Sequence, residues 1–322
     1  MLAFFNAHLP LAAMLVAGFF LWCYVVVASV EFGATLFLLF PKLSGGRTIP
    51  VAKLLSPVWE VNNVFLVGFF VSLIAFFPGF IPWFSTALFI PLCIFLVASG
   101  IRIFSVLIFF YSSFSRLQQS MVMRLIFTLS AFIAAGTAAW GATSVIVGVS
   151  PVLWLGQFLI LEIPAVVLAL SGLAAFAGVG IKLFSGVDAR SMVPLGIFID
   201  LSCVAFAFSA IVFFRVLPLF ADHAAGSTDL LWLSIALAIA LALVALGRLA
   251  SRPSATFLGL AAMMGILIFY AISLQYPYLV YPFITAAGAF TAAATAPILF
   301  IVFCVGLLLV LPSLVLLYKL FL

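Results

Sequence analysis

The chain has 322 residues, of which 68% are hydrophobic and 6% are charged, with a formal net charge of +5. Soluble domains carry about a quarter charged residues, so this composition excludes a protein with an ordinary water-exposed surface. The Lys and Arg residues are scattered between apolar runs rather than gathered on one face, which argues against a nucleic-acid partner. The composition therefore predicts an integral membrane protein.

The apolar runs continue for about 20 residues or more, which indicates membrane-spanning helices. We predict an all-α polytopic fold in a single membrane domain covering residues 1–322. The acids Glu31 and Glu162 each lie in the first span of one half, which suggests two four-helix bundles followed by one peripheral helix. The nine predicted spans lie near 11–39, 57–77, 84–111, 122–147, 153–183, 193–215, 230–247, 254–274 and 291–318.

The charges between the spans predict the orientation. Basic residues follow the odd-numbered spans, whereas Arg215 alone follows an even-numbered one. By the positive-inside rule, the N-terminus is outside and the C-terminus is in the cytoplasm, which requires an odd number of spans. The residues that follow odd-numbered spans are Lys42, Arg47, Lys53, Arg116, Arg124, Lys182, Arg190, Arg248, Arg252 and Lys319.

Local signals predict the start and end of the second span. Ser56 and Pro57 match a helix N-cap followed by proline at the first helical position, so we expect the helix to begin there. This start places Glu60 in the first turn. The Pro78-Gly79 pair ends the span, and Pro82 opens the third.

Ionisable residues occur inside three consecutive spans. Glu31, Glu60 and Arg102 lie at depths of roughly 10–17 Å from the inner boundary, taking a rise of about 1.5 Å per residue. Charges at such depth require partners, so we expect an ionic cluster. In a structural interpretation, Arg102 neutralises Glu31 and Glu60 complements the N-terminal end of its helix. In a functional interpretation, the carboxylates relay protons from the inner face with water and with Asn62 or Asn63.

Two further acids lie in predicted spans, and the chain has few residues that could bind a metal. Glu162, in the fifth span, and Asp200, in the sixth, are candidate extensions of a polar path or helix-packing residues. His8 and His223 both lie toward the outside, so we expect this chain to bind neither haem nor another metal. The cysteines show no metal-binding spacing; they are Cys23, Cys93, Cys203 and Cys304.

Residues 57–66, PVWEVNNVFL, resemble the P-x-W-D-G-N-[EQ]-V-W-L signature of subunit II of the cytochrome bd quinol oxidases. The resemblance continues through residues 75–78 to Arg102, and residues 31–33 match the end of a first-span D-G-F-D-x-G segment. It covers residues about 25–105. The chain looks like a divergent member. Its departures from the family pattern are Ala28 and Ser29 for Asp-Gly, Val61 for Gly, Asn63 for Glu or Gln, Phe65 for Trp, and the lack of the usual acid in residues 103–110.

The resemblance implies a respiratory-chain subunit in the cytoplasmic membrane of a bacterium or archaeon. It implies a heterodimer with a subunit I that carries haem b and haem d, or a further haem b, and that oxidises quinol with O2. Subunit II itself binds no haem, stabilises its partner, and is a candidate for a structural quinone; small accessory subunits are a further expectation. The implied proton path has Glu60 as main carboxylate, Glu31 as the second and Arg102 as counter-ion, with support from Trp59, Asn62 and Asn63.

Two other functions fit the same residues. A secondary transporter would use Glu31, Glu60, Arg102 and Glu162 as a substrate and proton site. A purely structural subunit would need the charged residues only for assembly.

Overall fold

The structure, a computed structural model, describes residues 2–39, 49–111, 121–147, 163–184, 193–216, 227–250, 252–292 and 294–321. Nine helices of 22 residues or more dominate these ranges, as expected where lipid cannot satisfy backbone hydrogen bonds. The prediction of an all-α fold is confirmed, with one short β-hairpin added. In chain order the elements are α1 (Leu2–Leu39), α2 (Ile49–Phe76), α3 (Ile81–Ala87), α4 (Phe89–Tyr111), α5 (Met121–Val147), α6 (Ile163–Phe184), α7 (Val193–Val216), α8 (Ser227–Leu249), α9 (Pro253–Gln275), β1 (Tyr278–Val280), β2 (Ile284–Thr285), α10 (Ala286–Ala289) and α11 (Ala296–Phe321).

Each predicted span overlaps one long helix. Among the described residues, four helical stretches are long and apolar enough to cross a membrane, and a fifth qualifies if a bent helix pair forms one span. The chain is therefore a multi-pass membrane protein, whereas the count of nine spans stays a prediction. The stretches are His8–Ser29, Met121–Ile146, Leu231–Leu249 and Ser254–Gln275, and the bent pair is Val61–Phe76 with Pro78–Ala87.

Helix α2 begins earlier than the sequence predicts. Residues 49–56 are helical, so the helix passes through Ser56 and Pro57 instead of starting there. The Ser-Pro start signal fails because a helix already arrives from upstream, with Pro50 in its first turn, where a missing N–H is tolerated. Glu60 consequently lies well inside α2. Its predicted place in the first turn, and with it the interaction with the helix N-terminus, is wrong.

The third predicted span is divided in the structure. After α2 the chain bends by 96° and forms a 3-10 turn, Pro78–Phe80, before α3. The bend packs tightly, because a Cβ atom on Gly79 would lie 2.9 Å from the Cα atom of Ala289. Pro82 therefore opens α3, and the long helix α4 begins only at Phe89, five residues later than predicted.

The long helices form two similar units. Helices α1, α2, α4 and α5 make the first, and α6 to α9 make the second. In each unit the first helix packs along the second and the third along the fourth. The units meet mainly where α1 packs against α6, and α11 packs on α2 at the periphery. This arrangement agrees with the predicted two four-helix bundles and one peripheral helix.

A polar side chain joins the two units at one end. The Nε2 atom of Gln275, the last residue of α9, donates to the carbonyl oxygen of Leu279 at 2.7 Å and to that of Val145 at 3.3 Å. Leu279 lies in β1 and Val145 lies near the end of α5. Gln275 is 7% exposed, so these hydrogen bonds are shielded from solvent.

A close contact between α8 and α9 gives the first testable prediction. A Cβ atom on Gly247 would lie 2.6 Å from the backbone nitrogen of Thr256, whereas one on Gly306 in α11 would have no atom within 4 Å. We expect Gly247→Ala to lower the free energy of unfolding by about 1–3 kcal/mol, the usual cost of overpacking. Gly306→Ala should leave it unchanged or raise it slightly, since alanine favours helix.

Thermal unfolding of the two variants in detergent measures the difference. Equal Tm values for both would contradict the close approach of α8 and α9.

Candidate functional site

An ion pair lies inside the first four-helix unit. Glu31 on α1 is completely buried, and its Oε1 atom is 3.0 Å from the Nη1 atom of Arg102 on α4. Arg102 is 4% exposed. The structure thus brings together two of the three ionisable residues that the sequence places at similar depth.

Asn62 on α2 holds the second oxygen of the same carboxylate. Its Nδ2 atom donates to Oε2 of Glu31 at 2.8 Å, and the residue is 1% exposed. The Oδ1 atom of Asn62 is buried and accepts no hydrogen bond from the protein. Three helices that are consecutive among the long ones therefore each contribute one side chain to the site.

The energetics make these residues mutually dependent. A charged side chain at the centre of a membrane helix costs about 2.5–3.5 kcal/mol on insertion scales. Removing one partner of a buried ion pair costs about 3–5 kcal/mol, because the other charge is left uncompensated. Glu31 and Arg102 consequently stabilise the unit only as a pair, whatever further role they have.

Other predicted residues lie close in sequence to this site. Asn63 follows Asn62 and is half-buried. Trp59 and Glu60 belong to α2, two and three residues before Asn62, but their side chains lie outside the described part of the chain. Ser105, one turn after Arg102 on α4, is buried and donates its hydroxyl to the carbonyl oxygen of Ile101 at 2.8 Å.

Comparison with known proteins identifies the family. The model of the family described as cytochrome bd terminal oxidase subunit II matches residues 9–321, which is almost the whole chain. The chain belongs to this family. The family predicted from the sequence is therefore confirmed.

Two relatives of this subunit II chain extend the comparison. A putative cytochrome bd menaquinol oxidase subunit II of Bacillus subtilis (strain 168) is 36% identical over 92 residues, and the aligned stretch spans 27% of each protein. A chain in the structure of bd oxidase from Geobacillus thermodenitrificans is 24% identical, with a TM-score of 0.81 over 98% of both chains. The second similarity shows that the fold is shared.

Asp200 does not join the Glu31 site in this member of the subunit II family. It lies on α7 and forms an ion pair with Arg248 on α8, in the second four-helix unit. The side chains of Asp200 and Arg248 are 44% and 26% exposed, so this pair is far less buried than the first. Glu162 lies outside the described residues, and its place in the fifth span stays a prediction.

The sequence did not identify Arg248 as the partner of Asp200. Arg248 was assigned to topology, because it lies at the end of a span among other basic residues. The sequence does indicate that Arg248 can have a local role, because it lies in the last turn of α8, where a basic residue complements the helix C-terminus. Only the packing of α7 against α8 shows which acid it meets.

Metal-binding arrangements do not occur in the part of the chain that the structure describes. No three His, Cys, Asp or Glu side chains come together there in a way that would hold a metal ion. The four cysteines are free thiols.

The buried ion pair gives the second prediction. Arg102→Met leaves Glu31 without its counter-ion, so we expect the free energy of unfolding to fall by about 3–5 kcal/mol. Adding Glu31→Gln should recover much of that loss, because no uncompensated charge then remains in the core. Asp200→Asn should cost less than Arg102→Met, because the Asp200–Arg248 pair is only partly buried.

Thermal unfolding of the purified complex compares these four proteins with the single Glu31→Gln variant, which completes the double-mutant cycle. Strictly additive losses for Arg102→Met and Glu31→Gln would contradict direct pairing of the two side chains.

Proposed function

We propose that this chain is the non-haem subunit of a cytochrome bd-type oxygen reductase that oxidises quinol and reduces O2 to water. In this proposal the haem-bearing subunit I carries haem b and haem d, or a further haem b, and performs the redox chemistry. The present chain stabilises that partner and supplies protons. Membership of the family supports the assignment.

The site at Glu31 is the observation that carries the proton role. Reduction of O2 consumes protons, and a carboxylate inside the membrane is a group that can take up and release them. When Glu31 accepts a proton on Oε2, it loses its charge, and its attraction for Arg102 weakens. Release of that proton restores the pair, so the guanidinium favours return to the ionised state.

Asn62 supplies a place for water beside the carboxylate. Its Nδ2 atom is bound to Glu31, so its Oδ1 atom points elsewhere and has no donor from the protein. A buried carbonyl oxygen without a partner favours an ordered water molecule, because an unmade hydrogen bond in a low-dielectric interior is costly. A water at Oδ1 would connect Glu31 to a chain of donors and acceptors.

The proposed entry of protons lies on the side of Glu60. Glu60 precedes Asn62 by two residues on α2, and the buried Ser105 follows Arg102 on α4. With the N-terminus outside and the C-terminus in the cytoplasm, as the basic residues predict, both positions lie on the cytoplasmic side of the pair. Protons would therefore reach Glu31 from the cytoplasm by way of Glu60, with Trp59 lining the approach and Asn63 level with the ion pair.

The two alternative functions, a secondary transporter and a purely structural subunit, are not equally well supported. A transporter is not favoured, because the oxidase subunit family covers residues 9–321 and the shared fold covers 98% of the chain. A purely structural role is supported by the complete pairing of Glu31 with Arg102 and Asn62. The structural role and the proton role make opposite predictions for variants in which the pair is removed as a whole.

A comparison of single and double variants separates these two roles. We expect Glu31→Gln with Arg102→Met to assemble with a normal haem spectrum but to lower oxygen consumption on the order of a hundredfold, the scale of a lost acid–base group. Glu60→Gln should assemble normally and also lower turnover. Asp200→Asn is the matched control, and its turnover should equal that of the unmodified complex.

Oxygen uptake and external pH changes of proteoliposomes provide the measurement. If the double variant assembles and turns over at the normal rate, the pair is structural, and the proton role is excluded.

A further inference from the structure

A cluster of apolar side chains lies directly against one side of the Glu31 site. We call it the apolar cover. It is formed by four helices, and each of its members is less than 9% exposed. The members are Tyr24 and Ala28 of α1, Phe65 of α2, Phe95 and Ala98 of α4, and Ala131, Ala134 and Ala135 of α5.

The cover lies on a single side of the site. Ala28 precedes Glu31 by three residues, and Ala98 precedes Arg102 by four. Phe65, in contrast, follows Asn62 by three, because α2 runs antiparallel to α1 and α4. One turn of each helix therefore leads from the site into the same cluster, on the side opposite to Glu60 and Ser105.

Seven of the eight members of the cover have hydrocarbon side chains, and the buried Ser29 lies next to Ala28 on α1. The hydroxyl of Tyr24 is the one hydrogen-bonding group among the eight side chains. Tyr24 and Phe95 each lie seven residues from the site, so the apolar layer is about 10 Å thick at a rise of 1.5 Å per residue. The alanines of α5 let that helix approach closely, and Ala134 is completely buried.

We propose that the apolar cover insulates Glu31 from the opposite membrane face, so that the carboxylate exchanges protons with one side only. This inference rests on the proposed proton role of Glu31. An oxidase that takes protons from one side loses stored energy if the same carboxylate also equilibrates with the other. A buried site in a proton-conducting subunit therefore needs a barrier as well as an entry.

The packing explains how the cover acts as a barrier. A proton crosses a protein along hydrogen-bonded groups or water, and closely packed alanine and phenylalanine side chains provide neither. The hydroxyl of Tyr24 has no side-chain acceptor among the other members of the cover, which are alanine and phenylalanine.

Opening the cover tests the inference. Phe65→Ala removes the phenyl ring beside Asn62 and makes room for water next to the carboxylate. We expect a severalfold rise in the passive proton leak of proteoliposomes that contain the assembled complex. Phe206→Ala, which opens an equally buried site in the second four-helix unit, is the matched control and should not raise the leak.

The leak is measured without quinol, as the decay of a pH-sensitive dye signal under a potassium diffusion potential. Combining Phe65→Ala with both Glu31→Gln and Arg102→Met should return the leak to the level of the control, because the route passes through Glu31 and the double change leaves no unpaired charge. Tyr24→Phe keeps the ring and should change neither leak nor turnover. Phe95→Ala, on another helix, repeats the test if Phe65→Ala lowers the haem content.

Three results would overturn the proposal. The first is a normal leak in both phenylalanine variants when the haem spectrum is intact. The second is a leak that persists when Glu31→Gln and Arg102→Met are added. The third is a loss of turnover in Tyr24→Phe as large as that in the Glu31 and Arg102 double variant, which would mean that protons pass through the cover.

Failure of the proton role is distinguishable from failure of the cover. It appears as normal turnover in the Glu31 and Arg102 double variant, in which the cover is unchanged. Failure of the cover alone appears as impaired turnover in the double variant together with a normal leak in Phe65→Ala.

Discussion

The pairing of Glu31 with Arg102 is the constraint around which the first four-helix unit is built. Neither charge is tolerated alone inside a membrane, so α1 and α4 must lie close enough for direct contact. Helix α2 must then present Asn62 to the remaining carboxylate oxygen. The relative positions of three helices are thereby fixed by polar contacts, while apolar contacts between the same helices fit around them.

The two four-helix units share their packing pattern but differ in where they keep their charges. The first unit buries its ion pair completely, whereas the Asp200–Arg248 pair of the second is partly exposed. A fully buried pair holds its geometry against salt and solvent, and a partly exposed pair contributes little to stability. Among the carboxylates that the structure describes, that of Glu31 in the first unit is the fully buried one.

The sequence predicts the elements of this fold better than their contacts. Unbroken apolar runs predicted every long helix, because a membrane leaves few other structures for them. The sequence places the start of α2 too late, because Ser56 and Pro57 match a helix start. It does not predict the short helix α3, because proline and glycine mark a bend without specifying its direction. Glu31 and Arg102 were expected to pair from their depth alone. Asp200 and Arg248 were not, since their meeting depends on how α7 and α8 pack.

The hydrogen bonds of Gln275 have a consequence for how the molecule behaves during turnover. They tie the end of α9 to β1 and to the end of α5, and both partners are backbone carbonyl groups. An uncharged amide and two peptide groups do not change state when a proton arrives elsewhere in the subunit. The link between the two halves at this end therefore does not depend on the charge state of Glu31.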